Sequence, residues 1–184
     1  MGTDGTGFLR RLARRRATAG WVFILLVAAF ARTPGILFWP GVFLTLLGEV
    51  LRTSSAGVIK KNQEVARTGP YRWCRHPLYF GSFLVTLGLS SASGNWVLLL
   101  LGLLLFPVFY IPAIIVEEKF LTKKFGQEYE AYKKVTPVFL PGPAPTSWKD
   151  FSWEHVRLNR EHLNWIVLVA VLILIALRNT HLRF

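Results

Sequence analysis

Five apolar runs, at residues 17–31, 36–51, 78–92, 96–116 and 163–177, occupy much of this chain of 184 residues. Runs of this kind are read as membrane helices, because a backbone in lipid must satisfy its own hydrogen bonds. Most are shorter than the roughly 20 residues that a hydrocarbon core of about 30 Å requires. Flanking Trp, Arg and Lys must then reach the interface, or the bilayer must thin. Trp21, Trp96 and Trp165 stand at run ends, where an amphipathic indole belongs. Charged residues are only 17% of the chain, against about 25% in soluble domains, so too little polar surface exists to cover it in water. The predicted class is an all-α integral membrane protein with about five transmembrane helices and a cytoplasmic amphipathic helix.

The net charge of +12 is odd for such a chain until the basic residues are assigned to sides. With the N-terminus in the cytoplasm, the inside receives Arg10, Arg11, Arg14, Arg15 and Arg16 before the first run. The next inside loop adds Arg52, Lys60, Lys61, Arg67, Arg72 and Arg75, and a third segment adds Lys119, Lys123, Lys124, Lys133, Lys134, Lys149, Arg157 and Arg160. Only Arg32, Arg178 and Arg183 remain outside. This is the positive-inside pattern, so the charge reports topology in an inner or plasma membrane and calls for no nucleic acid. The Arg-rich start, with Ala29-Phe30-Ala31 after it, mimics a secretory signal and is read as a retained span. The single cysteine, Cys74, forms no internal bridge.

Most of the remaining polar chemistry sits in two inside segments. In the first, Gly69-Pro70 signals a turn and Pro77 suits the first position of a helix, which makes His76 the cap. The amides near Leu78 and Tyr79 are then expected to be unpaired, a setting that attracts carboxylate or phosphate. Gly81, one turn in, would admit a ligand close to the backbone. The plainer reading is a capped membrane helix with a histidine at the water boundary. In the second segment, Glu117 and Glu118 end the fourth run and seek a cation. Glu118, Leu121, Phe125, Tyr129 and Tyr132 follow at intervals of 3 or 4 and predict one face of an amphipathic surface helix. The plainer role of the two tyrosines is interfacial anchoring. An anion-seeking and a cation-seeking element on one side of the bilayer suit a zwitterion. S-adenosyl-L-methionine has that charge distribution, as do other zwitterions.

The ordered set Gly69-Pro70-Tyr71, Arg75-His76-Pro77-Leu78-Tyr79 with Gly81, Glu117-Glu118, Phe125-Gly126, and Glu128-Tyr129 with Tyr132 resembles the integral-membrane methyltransferases. That group includes isoprenylcysteine carboxyl methyltransferase and the phospholipid N-methyltransferases. The resemblance covers about residues 66–141 and implies S-adenosyl-L-methionine bound without a Rossmann domain. It implies that Tyr71, His76, Pro77, Leu78, Tyr79 and Gly81 line the cofactor, that Glu117 and Glu118 meet its cationic end, and that Tyr129 and Tyr132 close the site. Arg75, His76 and Glu118 are the implied catalytic residues, His76 or Glu118 serving as base for an amine acceptor. The acceptor is then a lipid or membrane-soluble small molecule. Val135, standing where the isoprenylcysteine enzymes carry a basic residue, argues against a prenylcysteine acceptor.

The domain reading is a two-span region at 1–65, a catalytic core at 66–141, and a linker with the fifth span at 142–184. The resemblance leaves two rivals, an NADPH-dependent sterol-reductase-like oxidoreductase and a non-catalytic scaffold. Leu78 and the glutamate pair disfavour the reductase, whose relatives read Arg-His-Pro-Asn-Tyr. Glu49 and Arg52, at i and i+3 in the second run, are either a functional intramembrane charge or a self-paired couple that reaches the interface, and no role is assigned to them. Pro107 and Pro112 predict a bend in the fourth span, which could open a slot for a lipid or be no more than the proline that membrane helices often tolerate. The prolines between 137 and 145 predict a stiff turn. His155, His162 and His181 show no metal-site spacing, and no metal is predicted.

Overall fold

A computed structural model describes residues 4–32, 35–60, 63–145 and 147–180; Lys61, His181 and Arg183 lie outside them. The helices are α1 (Asp4–Phe30), α2 (Phe38–Val58), α3 (Pro77–Ala92), α4 (Trp96–Phe125), α5 (Gln127–Val135), α6 (Trp153–Leu158) and α7 (Glu161–Thr180), with a 3₁₀ turn at Gly69–Arg72. Among the described residues there is no strand and no Rossmann unit.

Helices α1 and α4 differ most from the apolar runs that announced them. Instead of starting at residue 17, α1 runs from Asp4 straight through the arginine cluster, since Arg, Leu and Ala all favour helix. Helix α4 starts on Asn95, whose side chain accepts the Val97 amide at 3.0 Å. It continues through Pro107 and Pro112 and past Glu117 and Glu118 to Phe125. There Gly126 takes φ of 53°, a conformation cheap only for glycine. The amphipathic face expected from Glu118 to Tyr132 is therefore divided between the last turns of α4 and the separate α5.

Helices α2 and α3 pack with their backbones nearly in contact. A Cβ at Gly41 would lie 2.6 Å from the Gly88 carbonyl oxygen, one at Gly48 would lie 2.6 Å from that of Gly81, and one at Gly88 would lie 2.4 Å from the Thr45 nitrogen. Small residues facing each other are how apolar helices gain close packing when lipid offers no hydrophobic drive. An apolar core then joins Phe23 and Val27 of α1, Val85 and Leu89 of α3, Leu98 of α4, and Leu168 and Ile175 of α7.

The outer surface is apolar as well. Leu25, Phe43, Leu104 and Ile166, on four different helices, are each more than 60% exposed, a distribution that a lipid surround accounts for. By length and composition, α4 and α7 can each cross a membrane; α3 is apolar but shorter. Helices α1 and α2 carry charge, in the arginine cluster and at Glu49 and Arg52 respectively. The expected count of five spans is thus met in full by two helices.

Candidate functional site

The loop between α2 and α3 is held in shape by the proline-rich segment that follows α5. The Arg75 amide donates to the Pro137 carbonyl at 2.8 Å and the His76 amide to that of Val138 at 3.2 Å. The Gly142 amide returns a bond to the Trp73 carbonyl at 2.8 Å, and the Trp73 indole donates to the Ala144 carbonyl at 3.0 Å. The stiff turn read from the prolines is therefore also a strap that aims Arg75 and His76. Helix α5 fastens the other side. The Tyr132 hydroxyl donates to the Tyr71 carbonyl at 2.6 Å, and Arg67 pairs with Glu128 at 3.0 Å.

The strap brings the start of α3 against the last turns of α4. Arg75 Nη1 lies 2.7 Å from Glu118 Oε1, and His76 Nε2 lies 3.4 Å from the same oxygen. The Tyr79 hydroxyl donates to Glu117 Oε2 at 2.6 Å, with His76 Nδ1 3.9 Å from that atom. The rings of His76 and Tyr79 stack with centroids 5.5 Å apart, and the Arg16 guanidinium sits 5.6 Å over the Tyr79 ring. The glutamate pair thus divides its work. Glu118 already has a cation from its own chain, whereas Glu117, more exposed, has among the described residues only the Tyr79 hydroxyl at hydrogen-bond distance.

Tyr129 is 1% exposed, and its hydroxyl has no well-aligned hydrogen-bond partner. Burial, and then the charge of Glu118, push that phenol above its usual range, so it stays a donor beside Arg75. Interfacial anchoring does not describe Tyr129 or Tyr132, since both are buried in protein. Pro77 is the buried first residue of α3, and Tyr71 is buried too.

Two expectations are corrected. Gly81 does not face this cluster, because its missing Cβ leaves room for Gly48 and Arg52 of α2. The Tyr79 amide is not free, since it donates to the His76 carbonyl at 3.0 Å in a tight first turn. Cys74, amid arginines in the sequence, is buried, and burial pushes its thiol up to about 11.

Below the cluster, Leu78 and Tyr79 also line a cavity of about 340 Å³ among α1, α2, α3, α4 and α7. Most of its wall is apolar, including Phe23, Ile24, Leu105 and Phe106, but Glu49, Arg52 and Glu161 reach into it. Arg52 Nη2 contacts both oxygens of Glu161, at 3.1 and 3.0 Å, its Nη1 donates to the Ser82 hydroxyl, and its Nε is 3.2 Å from Glu49. Glu49 and Arg52 are therefore part of a triad whose two carboxylates are buried. Its third member starts α7, a segment to which sequence reading assigned no role. The only forewarning was charge inside an apolar helix.

The phospholipid methyltransferase family model matches residues 36–128, half of the chain, and the chain belongs to that family. The nickel-cobalt-cadmium resistance protein NccN of Alcaligenes xylosoxydans xylosoxydans is 37% identical over 45% of this chain and 38% of its own length. The protein-S-isoprenylcysteine O-methyltransferase of Schizosaccharomyces pombe is 28% identical over 61% of this chain and 59% of its own. The enzyme of the same name from Saccharomyces cerevisiae is 32% identical, over 55% and 47%. This chain therefore spans roughly two fifths to three fifths of these curated relatives. No solved structure matches it.

Proposed function

We propose that the protein is an S-adenosyl-L-methionine-dependent methyltransferase acting on a lipid or membrane-soluble acceptor at the cytoplasmic membrane face. The observation that carries this reading is the junction of α3 and α4, where groups of opposite charge preference meet inside a family-matched segment. The donor set suits the cofactor. Glu117, which among the described residues has no arginine or lysine at ion-pair distance, suits a sulfonium or ammonium, while Arg75 suits a carboxylate. When bound, S-adenosyl-L-methionine supplies an electrophilic methyl group. The residues present then bind and align, since positioning and exclusion of water are most of what such a transfer asks of a protein. Glu118 holds Arg75 and His76 in place, His76 stacks Tyr79, and Tyr79 forms the wall shared with the apolar cavity.

In the same reading α1, α2, α3, α4 and α7 are five spans, the N-terminus is cytoplasmic, and the charge distribution and outward apolar surface support that placement. A screen for methyl transfer from radiolabelled S-adenosyl-L-methionine to lipid amines, prenylcysteine analogues, small thiols and quinol precursors tests the activity. Incorporation into at least one acceptor that falls ten-fold or more in His76→Ala is expected. No incorporation into any class, with folded protein, contradicts the assignment.

A further inference from the structure

The family match ends at residue 128, yet the cavity is completed by α7, which contributes Glu161, Asn164, Val167 and Leu168. Two carboxylates there share one guanidinium. Glu161 is well served, taking both Arg52 contacts and a bond from the Asn164 amide at 2.9 Å. Glu49 is not. It is 1% exposed, lines the cavity, and neither of its oxygens has an aligned hydrogen-bond donor, the Arg52 Nε lying near one of them at 3.2 Å. A buried carboxylate left short of donors is costly, and the cavity that Glu49 lines is the side from which a donor would come. The other cation on the wall, Arg16, is engaged elsewhere, over the Tyr79 ring and on the Ala13 carbonyl at 2.7 Å.

We infer that this cavity is the acceptor site, and that Glu49, positioned by Arg52 and Glu161, receives the nitrogen head of a single-chain, amine-bearing amphiphile. The apolar wall takes the chain, and about 340 Å³ lies at the small end of ligand pockets. A carboxylate head at Glu49 would face two carboxylates that already share one guanidinium, and discrimination against such a competitor is how specificity is built. Tyr79 belongs both to the cavity wall and to the cofactor cluster, so the cavity adjoins the proposed methyl donor site. The assignment rests on the methyltransferase reading for calling the ligand an acceptor, although amine binding itself needs no cofactor.

Native mass spectrometry of the full chain released from detergent tests it, with dodecylamine and dodecanoate as probes and S-adenosylhomocysteine measured in parallel. Dodecylamine is expected to bind at least five-fold more than dodecanoate. Glu49→Gln is expected to remove that preference, Glu49→Asp to keep it, and the exposed Glu64→Gln to leave it unchanged. Thr86→Phe, on the cavity wall, should block dodecylamine without altering any charge, and it decides the matter if Glu49→Gln does not fold. Equal binding of the two probes, or amine binding unaffected by both Glu49→Gln and Thr86→Phe, overturns the inference. If S-adenosylhomocysteine still binds in that event, the methyltransferase reading survives; if it fails to bind while amine selectivity holds, that reading falls and the cavity assignment stands as an amine site only.

Discussion

Two polar clusters, separated by Tyr79, are built on opposite principles. The one at the α3–α4 junction lies near the end of the helices, with Glu117 and Glu118 partly exposed, and is held by loop backbone as much as by side chains. The one among α2, α3 and α7 is buried and held by a single guanidinium that touches Glu49, Ser82 and Glu161. The first keeps a partly exposed carboxylate, Glu117, that a soluble zwitterion can reach. The second has two carboxylates sharing one guanidinium among apolar walls. A partly wet cluster tolerates the loss of a member, whereas a dry one does not.

That contrast is broken most severely at Arg52. Arg52→Met leaves two buried carboxylates without their cation and is expected to destabilise the fold by about 3–5 kcal/mol, read as loss of folded protein on size exclusion. A milder result would mean that water reaches the triad. Next comes the helix pair on which both clusters depend. Gly88→Ala forces a Cβ toward the Thr45 backbone and should cost about 2 kcal/mol, lowering the thermal midpoint while binding affinity per folded molecule holds.

At the wetter cluster, Glu118→Gln frees Arg75 and His76 and should weaken S-adenosylhomocysteine about ten-fold, or about 1.4 kcal/mol, with a smaller effect on stability than at Arg52. Tyr132→Phe removes one hydrogen bond from α5 to the loop and should cost about 1 kcal/mol. Smallest is Cys74. With its thiol pushed up to about 11, native protein at pH 8 should resist maleimide while denatured protein reacts at once. Because the folded thiol titrates above the unfolded one, near 8.5, its linked stability is complete below that value and declines as pH rises toward 11.

The first cluster was largely legible in the sequence because its parts are short motifs at the ends of apolar runs. Pro77 marks where α3 begins, and Glu117-Glu118 marks where α4 leaves its apolar stretch. What the motifs could not convey was the division of labour within the glutamate pair, which depends on where Arg75 points. Gly81 was misread for a similar reason, since a glycine near a helix start serves a ligand or a neighbouring helix equally well in one dimension. The second cluster was hidden by distance. Glu49 and Arg52 share one face of α2, but Glu161 reaches Arg52 across 109 residues, and no local pattern announces such a pairing. The break at Gly126 was missed because the 3–4 spacing of Glu118 to Tyr132 persists across it, although only glycine fits there easily.

The central claim, a methyl donor site where α3 begins against the last turns of α4, is tested most directly by titrating the purified full chain with S-adenosylhomocysteine beside Glu117→Gln and the exposed-lysine control Lys134→Gln. Saturable micromolar binding, weakened ten-fold or more in Glu117→Gln and unchanged in Lys134→Gln, is the predicted result. No saturable binding, or binding indifferent to Glu117, would contradict it.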